Sequence, residues 1–156
     1  MNTDNSLLKS IKSPNDLKKL SINELNIISS EISIFIKNTI EKTGGHYSSP
    51  LGVIDLTLSL HYVYNSPVDK IIWDVGHQAY AHKIITGRYK NFHTIRQKDG
   101  ISGFLKRDES PHDIFGAGHS STSISAGLGF AHARDRFNKE YNILSIIGDG
   151  AMTGGM

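Results

Sequence analysis

Asn142-Ile143-Leu144-Ser145-Ile146-Ile147-Gly148-Asp149-Gly150 is the stretch that decides the fold. A short run of branched apolar residues, stopped abruptly by glycine, predicts a buried strand that ends in a tight turn. Lys70-Ile71-Ile72-Trp73-Asp74-Val75, followed by Gly76-His77-Gln78, repeats the pattern earlier in the chain. Between and before these runs the spacing of apolar residues is helical. Helices alternating with short apolar strands predict an α/β fold with a mostly parallel sheet. Ligands of such folds gather beyond the carboxyl ends of the strands. His77 and Asp149 both fall there.

Working outward, Ser13-Pro14-Asn15-Asp16 reads as a turn. Ser21 with Glu24 three residues on reads as a capping box. Leu25, Ile28, Ile32 and Phe35/Ile36 continue that helix to about Ile40, and Gly44-Gly45-His46 ends it. Ser49-Pro50 signals a second helix, carried by Leu51, Ile54, Leu58 and His61/Tyr62 to about Tyr64. Asn65-Ser66-Pro67 is a turn. A short helix after His77 closes at Gly87. Residues 93–113 are irregular, a length of loop that compact domains reserve for function or motion. Phe115-Gly116-Ala117-Gly118-His119-Ser120-Ser121 then leads into a helix of small residues, extending to about Arg136 and suited to close packing. Ala151-Met152-Thr153 is expected to open another helix.

The chain carries 15 glycines and 8 histidines, and none of either lies in the first forty residues. It is therefore expected to divide into a plain helical segment, 1–43, packing on a Gly/His-rich domain, 44–156. The formal charge of +2, with no block of Lys or Arg, argues against nucleic acid. There is no cysteine, which removes disulfides, thiolate nucleophiles and Cys-based metal sites. No apolar run approaches the roughly 20 residues of a membrane span. The polar start, Met1 to Ser6, leads to no signal-like apolar core. A cytoplasmic protein with no membrane partner is the expectation.

Asp149 carries the most chemistry. A carboxylate at a strand end, flanked by glycines, can ligate a hard cation that bridges to phosphate oxygens. The neighbouring backbone N–H groups favour the anion. The tripeptide alone, however, is more often a plain turn. Gly118-His119-Ser120 can present N–H and hydroxyl donors to an anion, or can simply be a glycine loop capped by Ser120 or Ser121. No Gly-Lys-Ser/Thr follows it, and no complete Gly-x-Gly-x-x-Gly is present. His46 and His77 lie in glycine-flanked loops where an imidazole can reach a ligand. His61 reads as a helix-face residue, and His82, His93, His112 and His132 as solvent or packing positions. His77 with His82 lacks a third zinc ligand at recognisable spacing. No Gly-x-Ser-x-Gly elbow supports serine hydrolysis.

Taken in order, several segments resemble the 1-deoxy-D-xylulose-5-phosphate synthase family, transketolase-like enzymes of isoprenoid precursor synthesis. They are Gly45-His46, Leu60-His61-Tyr62-Val63-Tyr64, Ile72-Trp73-Asp74-Val75-Gly76-His77-Gln78-Ala79-Tyr80 and His82-Lys83-Ile84. Thr94-Ile95-Arg96-Gln97-Lys98, Lys106-Arg107-Asp108-Glu109-Ser110, Gly118-His119-Ser120-Ser121-Thr122-Ser123 and Gly148-Asp149-Gly150-Ala151-Met152-Thr153 complete the set. The resemblance implies a three-layer, parallel-sheet, thiamine-diphosphate (diphosphate-binding) domain. It implies Asp149 as a Mg2+ ligand, Gly150 and Ala151 as backbone contacts to the cofactor diphosphate, and Gly118, His119, Ser120 and His77 as further cofactor contacts. His46 matches an active-site histidine that transfers protons or positions substrate.

The family uses thiamine diphosphate as an electron sink to decarboxylate pyruvate and join the remaining two-carbon unit to glyceraldehyde 3-phosphate. It works as a homodimer, with each active site between domains. Pro50 and Leu105 depart from the family's usual residues. By this resemblance the asparagine that completes the family's metal motif, the pyrimidine-binding domain with its activating glutamate, and the C-terminal domain are expected to be absent from this chain. The chain is therefore expected to be a fragment inactive alone. A standalone module that binds thiamine diphosphate or another phosphorylated ligand, or another transketolase-type enzyme, are the alternatives.

Overall fold

The computed structural model describes residues 6–154, so the polar start before Ser6 and the chain end after Gly154 lie outside the described residues. The architecture is α/β with a parallel sheet, and the chain forms two compact units. One comprises Met1–Val63 with Gln78–Gly103, the other Tyr64–His77 with Phe104–Met156.

The first unit is helical. Helix α1, Pro14–Leu17, begins on proline, whose missing N–H costs nothing in a first turn. The Asp16 carboxylate accepts the N–H groups of Lys12 and Ser13, at 3.0 and 3.1 Å. Helix α2 spans Ile22–Thr43 and starts at the expected capping box. Ser21 Oγ accepts the Glu24 N–H at 3.3 Å, and Glu24 returns the favour to the Ser21 N–H at 2.7 Å. Its buried stripe, Ile28, Ile32, Ile36 and Ile40, recurs every four residues. Gly44 closes it at φ 71°. Glu31 accepts the N–H groups of Leu7 and Leu8, at 3.2 and 2.7 Å, fastening the preceding segment to α2.

The single helix expected over 49–64 is two, α3 (Ser48–Gly52) and α4 (Ile54–Val63). Gly52 and β-branched Val53 are weak helix formers, and Val53 leaves helical geometry at φ −118°, ψ 14°. Helix α5, Tyr80–Lys83, runs into a wider turn, Ile84–Arg88, where Gly87 adopts φ 97°. The core joins the α2 stripe to Leu8, Leu17, Ile54, Leu58, Tyr80, Ile84, Phe92 and Ile95. Each such side chain, fully buried, contributes about 1.5–3 kcal/mol.

The second unit holds the sheet. Strands β1 (Lys70–Trp73) and β2 (Ile143–Ile146) pair in parallel, Lys70 opposite Ile143 and Trp73 opposite Ile146. Asp69 aligns their starts, its carboxylate accepting the N–H groups of Asn65 and Asn142, each at 2.7 Å. Ile71, Ile72 and Trp73 are buried as expected. β2, expected to be buried, is half-buried throughout, because among the described residues it pairs only with β1. Helix α6, Ser123–Arg136, lies on the sheet as the small-residue pattern predicts. A Cβ at Gly127 would sit 2.8 Å from Ser145 Oγ, which itself donates to the Ser123 carbonyl at 2.9 Å.

Candidate functional site

Parallel pairing puts the ends of β1 and β2 side by side, so the turns after Trp73 and Ile146 share one crest of the second unit. Beyond β1, the Gly76 N–H bonds back to the Asp74 carbonyl at 2.6 Å, folding the chain around Val75 at φ 59°. A left-handed β-branched residue is strained, and such strain collects at functional turns. Gly76 follows at φ 87°, and a Cβ there would meet the Ala117 Cβ at 2.9 Å. This sharp reversal delivers His77, half-buried, just past the strand.

The Asp74 side chain, 1% exposed, points to a different segment. One carboxylate oxygen accepts the Ser121 N–H at 2.8 Å, and the other accepts the Ser123 N–H at 2.9 Å. Neither Ser120 nor Ser121 caps α6. The cap residue is Thr122, which offers no side-chain bond, so the acceptor comes from Asp74 on another element. Two donors that could have faced an anion are therefore already committed to a carboxylate. Gly118, His119 and Ser120, just before them in the loop, are all exposed.

Past β2, Asp149 is exposed and heads a short 3-10 turn, Gly150–Thr153. The Ala151 N–H bonds back to the Gly148 carbonyl at 3.0 Å. Ser121, held at φ 65°, donates its hydroxyl to the Ala151 carbonyl. A Cβ at Gly154 would lie 2.5 Å from Ser121 Oγ and 3.3 Å from Ser120 Oγ. The structure thus brings the Gly118–Ser121 loop against the Gly150–Thr153 turn. Sequence reasoning missed both Asp74 and Ser121 as organisers of this crest. A carboxylate placed directly after a fully buried strand was the available signal.

These residues fit a metal-bound diphosphate. Gly118, Gly148 and Gly150 have no left-handed φ, and a Cβ on any of them would meet nothing within 4 Å. The backbone at those places is open to close approach by an outside group. Mg2+ commonly takes one or two protein carboxylates and fills its shell with water and phosphate oxygens. Among the described residues no group of three or more His, Asp or Glu could hold a metal ion.

His46 belongs to the first unit. Gly44 and Gly45 turn the chain at φ 71° and 141°, and a Cβ at Gly45 would lie 2.8 Å from the Tyr80 hydroxyl oxygen. That oxygen accepts the His46 N–H at 3.3 Å, so fully buried Tyr80 sets the backbone from which the imidazole projects. His61 and His82 do not face solvent. Both are fully buried, and His61 Nε2 lies 2.9 Å from His82 Nδ1.

A family model described as 1-deoxy-D-xylulose-5-phosphate synthase matches residues 8–156. The chain is 62% identical over 150 residues to the 1-deoxy-D-xylulose-5-phosphate synthase of Caldanaerobacter subterraneus subsp. tengcongensis, covering 96% of this chain and 24% of that protein. It is 60% identical over 150 residues to the protein of the same name from Dictyoglomus turgidum, with the same coverage. The corresponding protein of Syntrophotalea carbinolica is 59% identical over 151 residues, 97% of this chain and 24% of its own length. The chain spans about a quarter of the length of the curated relatives it matches.

Proposed function

The chain belongs to the 1-deoxy-D-xylulose-5-phosphate synthase family, and we propose that it forms the diphosphate-anchoring part of such an enzyme. The reaction is the condensation of pyruvate with glyceraldehyde 3-phosphate, with loss of carbon dioxide. In this reading residues 1–43 are a helical segment packing on a diphosphate-binding domain, 44–156, and the complete protein is a cytoplasmic homodimer without nucleic-acid or membrane partners. No helix among the described residues is long and apolar enough to cross a membrane.

The observation that carries the reading is the contact between the two glycine segments at the crest, made by Ser121 on the Ala151 carbonyl. Asp149 supplies a carboxylate to Mg2+. Gly118, His119 and Ser120 would offer donors to the diphosphate, and Gly150 and Ala151 would contact it by backbone. The Ala151 N–H, bonded to the Gly148 carbonyl in the turn, would be one such contact. His77 reaches the cofactor from the reversal after β1. His46, on its glycine hinge, moves a proton or orients substrate at the reacting carbon. When bound, thiamine diphosphate supplies the electron sink that lets pyruvate lose carbon dioxide. The protein's task is binding, orientation and proton management.

A chimera tests the reaction. This chain would replace the matching quarter of the Caldanaerobacter enzyme, and carbon dioxide release from pyruvate would be followed with glyceraldehyde 3-phosphate, thiamine diphosphate and Mg2+ present. Turnover is expected, falling by about 100-fold or more in the His46→Ala chimera. A folded chimera that releases none, or one indifferent to His46, contradicts the reading.

A further inference from the structure

We propose that Asp74 is a positioning residue of the anion site: through Ser121 its carboxylate locks the Gly118–Ser120 donors and the Gly150–Ala151 turn into one rigid cradle. The proposal rests on the diphosphate reading above and adds a residue to it that touches neither cofactor nor metal.

A carboxylate this deeply buried is costly unless its oxygens accept hydrogen bonds. The bonds Asp74 accepts include those from the Ser121 and Ser123 N–H groups. An ordinary helix cap would account for the bond to Ser123, the first residue of α6. It does not account for the bond to Ser121, which precedes the cap residue and belongs to the loop. Ordinary caps are also local, whereas these partners lie 47 and 49 residues downstream of Asp74.

The conformation of Ser121 points the same way. It is a non-glycine residue at φ 65°, and such a conformation persists only where surroundings over-determine it. Here two bonds do so: its N–H on Asp74, and its hydroxyl on the Ala151 carbonyl. The chain of contacts runs from the end of β1, through the loop, to the turn after β2. A donor set for phosphate works only when held to within fractions of an ångström. The clasp has an electrostatic consequence as well. It gives the Ser121 and Ser123 N–H groups to Asp74, so a bound anion would draw on other donors and on a cation at Asp149.

The test titrates the full chain with inorganic pyrophosphate, and separately with thiamine diphosphate, in the presence of Mg2+. The Asp74→Asn and Ser121→Ala variants are compared with the unsubstituted chain by calorimetry and by amide NMR. Asp74→Asn is expected to weaken both ligands about tenfold, because a charge-assisted acceptor is lost. The Ser121 and Ser123 amide protons should move upfield. Ser121→Ala, which keeps the backbone bond to Asp74, is expected to weaken binding about threefold while leaving those amide shifts in place. In the double variant the losses should fall short of their product, because both cut the same connection.

If Asp74→Asn folds, by amide dispersion, and binds as tightly as the unsubstituted chain, the carboxylate is only a cap and the proposal fails. If that variant does not fold, Ser121→Ala decides, and unchanged affinity there overturns the proposal. An unsubstituted chain that binds neither ligand overturns the diphosphate reading, and the role of Asp74 with it.

Discussion

Several carboxylates in this chain act as backbone staples. Asp74 holds the loop before α6, Asp69 aligns the strand starts, Glu31 fastens the amino-terminal segment, and Asp113 accepts the Lys106 N–H at 2.9 Å. Asp16 does the same for α1, and its pKa is lowered to about 2, chiefly by the hydrogen bond from Lys19 and then by the Lys12 N–H. A depressed carboxylate stabilises the fold above its unfolded pKa near 3.8 and loses that contribution as pH falls toward 2. Asp16→Asn should therefore lower stability at pH 6 while narrowing the gap to the unsubstituted chain between pH 4 and pH 2. Urea unfolding across that range reads the difference; a gap that widens on acidification contradicts the assignment. Tyr80 is the counterpart among neutral residues. Tyr80→Phe removes the acceptor of the His46 N–H and should cost about 0.5–1.5 kcal/mol, with faster amide exchange at His46. Unchanged exchange would show that the hydroxyl does not set the His46 loop.

At the scale of elements, α6 separates what glycine does for packing from what it costs. Gly127 lies beneath the helix, where a methyl group would force the Ser145 hydroxyl off the Ser123 carbonyl. Gly129 is exposed, and a methyl group there meets nothing within 4 Å. Helix propensity alone favours alanine at both places by about 0.8–1 kcal/mol. Gly129→Ala should realise most of that gain, whereas Gly127→Ala should destabilise by about 1 kcal/mol as the lost contact and displaced strand outweigh it. Thermal unfolding of the pair measures both signs, and a stabilising Gly127→Ala would contradict the close packing of α6 on β2. Such contrasts explain which elements could be read from sequence. The Ser21/Glu24 box, the stripe of α2, the small face of α6 and the strand runs are local patterns, and each predicted its element. The break at Val53 follows from the weak helix propensity of Gly52 and Val53, which apolar periodicity passes over, and the half-buried state of β2 depends on neighbours that local periodicity does not encode. The same holds for the site: Asp149 and the Gly118 loop announce themselves as motifs, but Asp74 gains its role from partners far along the chain. His61 and His82 are likewise joined only by the fold.

At the scale of the molecule, the crest of the second unit and the glycine hinge of His46 in the first are each organised by their own internal bonds. The chain spans about a quarter of the relatives that share its sequence, and within it the Gly118 loop and the Gly150 turn already meet. With the Ser123 N–H at the start of α6 given to Asp74, the proposed anchor relies on a cation at Asp149 more than on the helix terminus. Calorimetric titration of the chain with thiamine diphosphate, with Mg2+ and with the metal removed by chelation, tests this most directly. Binding should require Mg2+ and should weaken by about tenfold or more in Asp149→Ala. Equal affinity with and without the metal, or in the variant, would contradict a metal-bound diphosphate anchor at Gly148-Asp149-Gly150.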